Sequence, residues 1–388
     1  MNQHRKLVGA AERFLTELRE RSIEIDSLRY LPQDLADKLA ASGFYRLCTP
    51  QQIGGLAQDP VTLYEVCETL AGANGSAAWC VFIGSTSQYL LGALAPEQQQ
   101  RMMADHNVIT SGVFADSGTA LFEIRDDKPG YLINGYWRWG SGCRNAQWIS
   151  GGIHEIDESG NPRQDVDPVL TRVFFEPREI EILDNWHVSG LRGSGSSDYR
   201  AENVWVPAVR MASSIDQTEF RKLPIYRYPR FALLSLPIGA ITMGMARASI
   251  DEVIQIANQK TPAGSRRTLA HRPKLHGDIA VADTKLAAAR RHLYAISDEV
   301  WQHCQTDEPT LEHRQQLRAA NIHVVNTSIE VIDKMYTAVG GTSVFESSCL
   351  QQHFRDVHVA SQHMMVTEPV MELAGRVLLG LDEEAPGL

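Results

Sequence analysis

Three histidines and an Arg-Asp pair crowd one stretch near the C-terminal end, HFRDVHVASQHMMV at 353–366. Imidazoles so close together could ligate a metal, fill the core as hydrogen-bonded groups, or offer one neutral base to a substrate proton. His358 and His363 are five residues apart, so on a single helix they would point about 140° away from each other. That is a poor ligand pair, and a metal is disfavoured. The six cysteines, at 48, 67, 80, 143, 304 and 349, form no CxxC. Neither a zinc knuckle nor a disulfide framework is expected, and the thiols read as reduced and mostly buried.

These groups sit in a chain of 388 residues with 43% hydrophobic and 22% charged residues, enough for two or three packed units and ordinary for a globular protein. No unbroken apolar run reaches the ~18 residues of a bilayer span. The start, MNQHRKLVGAAERF, lacks the apolar core and cleavage site of a secretory signal, so the cytoplasm is the default expectation. A formal net charge of -10, with no long basic run, makes nucleic acid an improbable partner.

The elements that must carry the histidines fall into three zones. Residues 1–107 read as helical, because LVGAAERFLTELRERS and LPQDLADKLAASGF repeat apolar residues every three or four positions, and Asp59-Pro60 opens a further helix with proline in its first turn. Residues 108–210 break into short segments rich in β-branched and aromatic side chains, such as VITSGVF, GYLINGYWRWGSG and VLTRVFFEP, and predict an antiparallel β domain. Residues 211–388 return to the helical period in three long segments, with TEPVMELAGRVLLGL as the fourth helix of a bundle. The fold class is α+β.

That order, with WHVSGLRGSGSSDYRAENVWVP at 186–207, resembles the acyl-CoA dehydrogenase superfamily over essentially the whole chain. The loop glycines 190, 193 and 195 do not satisfy GxGxxG between a strand and a helix and are assigned to fold identity. In many dehydrogenases of the superfamily the catalytic Glu lies eight positions beyond the Asp of an Arg-Asp pair. Here that position is Met364, and the nearest downstream acid is Glu368. FRDVHVASQH is instead similar to the reduced-flavin-dependent, two-component monooxygenases of the superfamily, such as the p-hydroxyphenylacetate and indole-3-acetate enzymes, whose catalytic His falls where His363 stands.

The same resemblance implies a flavin site. WRWGSGCRNAQW (137–148) is similar to the segment that meets the isoalloxazine ring, pointing to Trp139 and Ser141, with core packing as the competing fate of Trp137 or Trp139. SGVFADSG (111–118) adds Phe114. Arg266 is expected at the flavin phosphate, from a neighbouring subunit, and Gly340 and Gly341 form a turn beside the cofactor. On the substrate side, NGSAAWCVFIGSTSQYL (74–90) implies Trp79 as a pocket wall and puts Ser87 where phenol hydroxylases carry a His, which shifts the expectation from a simple phenol to an indole or aromatic acid. Arg230 matches a substrate-side Arg.

The implied activity is a flavin-dependent monooxygenase: externally supplied reduced FAD or FMN reacts with O2 to give a C4a-hydroperoxide, which hydroxylates a small aromatic molecule. No nicotinamide fingerprint is visible, so a separate NAD(P)H:flavin reductase is expected, and relatives are usually homotetramers. An acyl-CoA dehydrogenase with bound FAD, an N-hydroxylase of an amine, and a non-catalytic flavin or scaffold protein remain open.

Overall fold

The structure is a computed structural model describing residues 3–163, 170–213, 218–385 and 387–388. The N-terminal periodic run is not one helix but three short ones, Gln3–Glu12, Leu15–Glu20 and Ser22–Leu28. The last is stopped by Arg29 in the left-handed region (φ 63°). Pro60–Ala71 begins as its sequence implies, with Pro60 in the first turn and the Asp59 carboxylate accepting the Thr62 N–H at 2.8 Å, which satisfies one of the orphan donors of a helix start. Asn74 caps Gly75–Tyr89 in the same way through the Ala77 N–H at 3.0 Å.

Among the described residues, the middle of the chain forms one sheet of seven strands: β1 Thr110–Arg125, β2 Lys128–Gly140, β3 Trp148–Ile156, β4 Leu170–Phe175, β5 Glu181–Ile182, β6 Ser197–Pro207 and β7 Met211–Ser213, in the order β5-β6-β2-β1-β3-β4-β7. The expected all-antiparallel sheet is corrected at one pair. β1 and β3 run parallel, Thr110 beside Trp148 and Leu121 beside Ile156. The reason is the SGCRNAQ segment at 141–147, which leaves β2 and carries the chain across the end of β1 to its far side, so that β3 repeats β1's direction. That crossing segment is the one expected to meet a flavin.

Trp137 explains several glycines at once. Its ring is fully buried, donates from Nε1 to the Gly152 carbonyl at 2.8 Å, and lies so close to Gly118, Gly135 and Gly151 that a Cβ on any of them would come within 2.4–2.5 Å of it. Strict alternation would return Trp139 to the same face as Trp137. Instead the pairing of β2 with β6 shifts between Trp137 and Gly140, and Trp139 stands out in solvent, 67% exposed. Trp137 is the core residue and Trp139 is not.

Three long helices, Leu236–Gln259, Pro273–His303 and Leu311–Ala338, build the C-terminal part. Cys349–Ala360 packs against the first and third of them, while Glu368–Leu378, expected as the fourth bundle member, lies mainly along Leu311–Ala338. By mean hydropathy, 1.4, the segment Arg230–Gln259 is long and apolar enough to span a bilayer, yet 83% of that window is buried inside the fold. It is the central helix of the core, packed on Pro60–Ala71 as well as on its bundle neighbours.

Candidate active site

The C-terminal motif, the glycine-serine loop, the crossing segment and the Gly75–Tyr89 helix converge. Asp356 is fully buried, and its Oδ1 accepts the Leu191 N–H at 2.6 Å. Ser194 donates to the Leu191 carbonyl at 2.7 Å and shares a 2.7 Å hydroxyl contact with Ser196, which shares another of 2.7 Å with Ser141. Trp79 donates from Nε1 to the Ser141 hydroxyl at 3.0 Å, and its ring meets the His363 imidazole edge to face, 5.9 Å between centroids. Ser111 holds the Ser141 carbonyl at 2.7 Å. A continuous polar chain thus runs from Asp356 to the indole against which His363 rests.

The loop glycines make the approach possible. A Cβ on Gly190 would stand 2.2 Å from the Arg355 carbonyl oxygen, and one on Gly193 2.1 Å from Ile25. The loop therefore does more than mark the fold, because its serines connect the two candidate chemical centres. Ser194 and Ser196 escape a reading of the sequence that looks for titratable side chains. The signal was there in GSGSS, three small hydroxyls on a loop too crowded for larger groups.

Of the three histidines, only His363 is at this junction. His353 is buried and bonded to the Ser249 hydroxyl at 3.1 Å, and burial pushes its imidazole down to about 4. His358 pairs with Asp333 at 3.0 Å on a half-exposed face. The helix ends at Ala360, so His363 does not share a helical face with either; it caps the Met364–Val366 turn, its Nδ1 accepting the Met365 N–H at 3.3 Å. Burial, then the charge of Arg318, lowers the His363 imidazole to about 4. Among the described residues no acid pairs with it: Met364 is 76% exposed, and Glu368 is exposed at the start of the next helix.

Arg318 was not singled out by sequence. It is 2% exposed on the Leu311–Ala338 helix, where burial lowers it to about 10, and its hydrogen bond is to the Phe231 carbonyl at 3.2 Å. The available signal was a cation in the inward stripe formed by Leu317, Ala320, Val324 and Val325.

The residues expected to meet a flavin divide into two groups. Trp139 stands exposed with φ 64°, a costly backbone state for an aromatic residue. Asp198 fixes it, accepting the Trp139 N–H at 2.9 Å while itself held by Tyr136 and Asn185. A strained, presented indole one residue from a crowded glycine and two from a buried hydroxyl fits a planar heteroaromatic ring with acceptors on its edge. Phe114, 40% exposed, lies under the Arg172 guanidinium at 4.4 Å. Arg266, expected to reach the flavin of a neighbouring subunit, and the Gly340–Gly341 turn form the second group. Lys260, at the base of the Arg266 loop, donates to the Val339 carbonyl and the Thr342 hydroxyl at 2.6 Å each. Arg266, Gly340 and Gly341 are exposed, and none of the hydrogen bonds, ion pairs or ring contacts among the described residues joins them to the Ser141–Trp79–His363 cluster.

Of the residues expected on the substrate side, Trp79 belongs to this cluster. Ser87 is buried two helical turns further along the same helix, and no described contact links it to His363. Arg230 is exposed, its guanidinium 5.4 Å from the Phe231 ring, and its charge is felt at Arg172.

Two family models match: acyl-CoA dehydrogenase, N-terminal domain, over residues 1–106, and acyl-CoA dehydrogenase, C-terminal domain, over 236–368. The chain is 31% identical to the flavin-dependent monooxygenase, oxygenase subunit HsaA, of Rhodococcus jostii, covering 90% of this chain and 91% of the relative. It is 29% identical to an indole-3-acetate monooxygenase of Acinetobacter baumannii, covering 96% and 93%. Among solved structures, the HsaA monooxygenase from M. tuberculosis superposes with a TM-score of 0.87 at 27% identity, covering 98% of this chain and 99% of that one.

Proposed function

Because the chain belongs to the acyl-CoA dehydrogenase family, we propose that it is the oxygenase component of a two-component flavin-dependent monooxygenase, acting on an aromatic small molecule of the indole or aryl-acid type. The observation that carries this reading is the imidazole of His363 resting on Trp79, which is itself bonded to Ser141, with an exposed methionine where an acyl-CoA dehydrogenase of the medium-chain type has its carboxylate. Abstraction of a proton next to a thioester needs a strong enough, correctly placed base, and the carboxylate expected at that position is missing.

Trp139, Ser141 and Phe114 would hold a reduced FAD or FMN, which would supply the electrons for the activation of O2. The protein's own work is to position and to keep water out. Trp79 walls the pocket and gives its N–H to Ser141, so that hydroxyl's own proton is directed along the serine chain. Because Nδ1 of His363 accepts from Met365, Nε2 carries the proton in the neutral ring, and the imidazole first meets its ligand as a donor. Taking up a substrate proton at Nε2 requires the resident proton to move to Nδ1. That gives up one long hydrogen bond, a cost of about 1 kcal/mol.

The reductant comes from a separate NAD(P)H:flavin reductase, as the relatives' designation as oxygenase subunits supports. Assembly as a homotetramer in the cytoplasm completes the proposal. Exposed apolar side chains at Val344, Phe345, Leu378 and Leu379 support burial against other copies. The test is oxygenation of indole, indole-3-acetate and phenols by the purified protein with photoreduced FAD or FMN and air. A product heavier by one oxygen, formed without NAD(P)H, is expected. Anaerobic dye reduction by an acyl-CoA, or strong NADH oxidation by this chain alone, overturns the reading.

A further inference from the structure

We propose that Arg318 is the receptor for a carboxylate carried by the substrate, binding it beside His363; the inference rests on the oxygenase reading and narrows its substrate class to aromatic acids. A guanidinium taken out of water is costly unless an anion and good hydrogen bonds compensate. Arg210, which is similarly buried, shows the usual solution, with Glu179 at 2.7 Å and Glu176 at 3.2 Å. Arg318 is more deeply buried, and among the described residues no carboxylate lies within ion-pairing distance. Its Nη1 is spent on the Phe231 carbonyl, and its Nε is buried without a partner. What remains is the Nε–Nη2 edge, the face that pairs side-on with a carboxylate through two parallel bonds.

The location fits a ligand better than a structural anion. The Met364–Val366 turn packs on the Arg318 helix, and the Arg318 charge is felt at His363. Phe231, whose carbonyl Arg318 holds, carries Arg230 over its ring, and Arg230 in turn lies within electrostatic reach of Arg172 above Phe114. Arg318, Arg230 and Arg172 are therefore linked through Phe231 and through their charges, three cations in one run of neighbours. A positive field of this kind is unfavourable for the empty protein and is relieved by an arriving anion. Arg318 differs from the other two in depth: Arg230 is exposed, and Arg172 already has the Val113 carbonyl at 2.9 Å, the Ser150 hydroxyl and a ring face.

Calorimetric titration of the full chain with indole-3-acetate and with 3-methylindole, the same ring system without the carboxylate, tests the proposal. Wild type is expected to favour the acid. R318Q is expected to weaken acid binding by roughly 30-fold or more, the loss typical of removing one member of a buried charge pair, and to leave 3-methylindole within about two-fold. R318K should lose the acid to an intermediate degree, because an ammonium keeps the charge without the bidentate edge. Equal weakening of both ligands in R318Q, unchanged acid affinity, or acid discrimination lost in R230Q but not in R318Q overturns the proposal. Should R318Q not fold, the wild-type acid preference and its loss in R318K decide, and no preference or no loss counts against it. The titration contains neither reduced flavin nor O2. A chain that binds the acid through Arg318 yet inserts no oxygen refutes the oxygenase reading, whereas oxygenation without acid discrimination refutes only the role of Arg318.

Discussion

Replacing His363 by Asn removes the ionisable ring while leaving a carbonyl oxygen that can accept the Met365 N–H. Burial and the Arg318 charge hold the imidazole at about 4. At pH 7 only about 0.1% of it is charged, against about a quarter for a histidine at its ordinary 6.5. The wild-type rate should therefore show no inflection from His363 between pH 5.5 and 8, because the neutral ring is already fully populated. H363N should lower oxygenation by 10²–10⁴-fold, the usual contribution of a placed acid-base group, and should shift consumed O2 towards hydrogen peroxide. The assay is single-turnover mixing of photoreduced flavin and substrate with aerated buffer, with product and peroxide quantified from the same quench. Oxygenation and coupling within about two-fold of wild type in H363N would refute the argument. So would a wild-type inflection near 6.5 that disappears in the variant, since the ring would then titrate as if it were in water.

Four further outcomes follow from the surrounding contacts. Burial raises Asp356 to about 7, above its unfolded value, so the stability it contributes is present below about 3.8 and lost as pH rises through 7; D356N keeps an acceptor for the Leu191 N–H and should be more resistant to urea at pH 8, by at most about 4 kcal/mol. His353 is the opposite case: lowered to about 4, it contributes stability that is present above 6.5 and lost as pH falls through 4, so H353Q should show a shallower loss between those values, by about 3 kcal/mol, in denaturation curves. G190A places a Cβ 2.2 Å from backbone and should cost roughly 3 kcal/mol or more in thermal unfolding, whereas G340A, strained by its φ of 59° but in open space, should cost about 1 kcal/mol. S141A leaves the buried Trp79 N–H without its acceptor, which should cost about 1–3 kcal/mol and weaken flavin retention measured by equilibrium dialysis.

The sequence-legible part of the molecule was whatever depends on local periodicity or on a single residue's conformation. The Asp59-Pro60 start and the long helices are of that kind, whereas the preference for His363 over His353 and His358 came from the resemblance of FRDVHVASQH to the monooxygenases. The parallel β1–β3 pair was not, because each strand reads alike whichever neighbour it takes, and only the path of residues 141–147 decides its direction. The three-way break of the first helical run was equally hidden, since the apolar period continues through it. Arg318 was missed for a different reason. A charged residue in a helix normally reads as solvated, and its burial becomes visible only when Phe231, from a segment nearly ninety positions earlier, is seen to hold it.

The site owes its geometry to anchoring at both ends of one short segment. Asp356 ties the last helical turns of Cys349–Ala360 to the Leu191 backbone, and seven residues later His363 meets Trp79. Between these points the helix ends and the chain turns, which by itself would let the imidazole wander. It is confined because Trp79 is held by Ser141, Ser141 by Ser196, and Ser196 by Ser194, which bonds to the same Leu191. The loop closes on itself through two independent routes. Asp356, the three serines and Trp79 are all buried, so breaking one link strands a polar group away from water. Substitutions along this ring should accordingly change coupling between O2 consumption and product before they change binding of the neutral ring, because they move His363 relative to Ser141 without altering the wall that Trp79 provides.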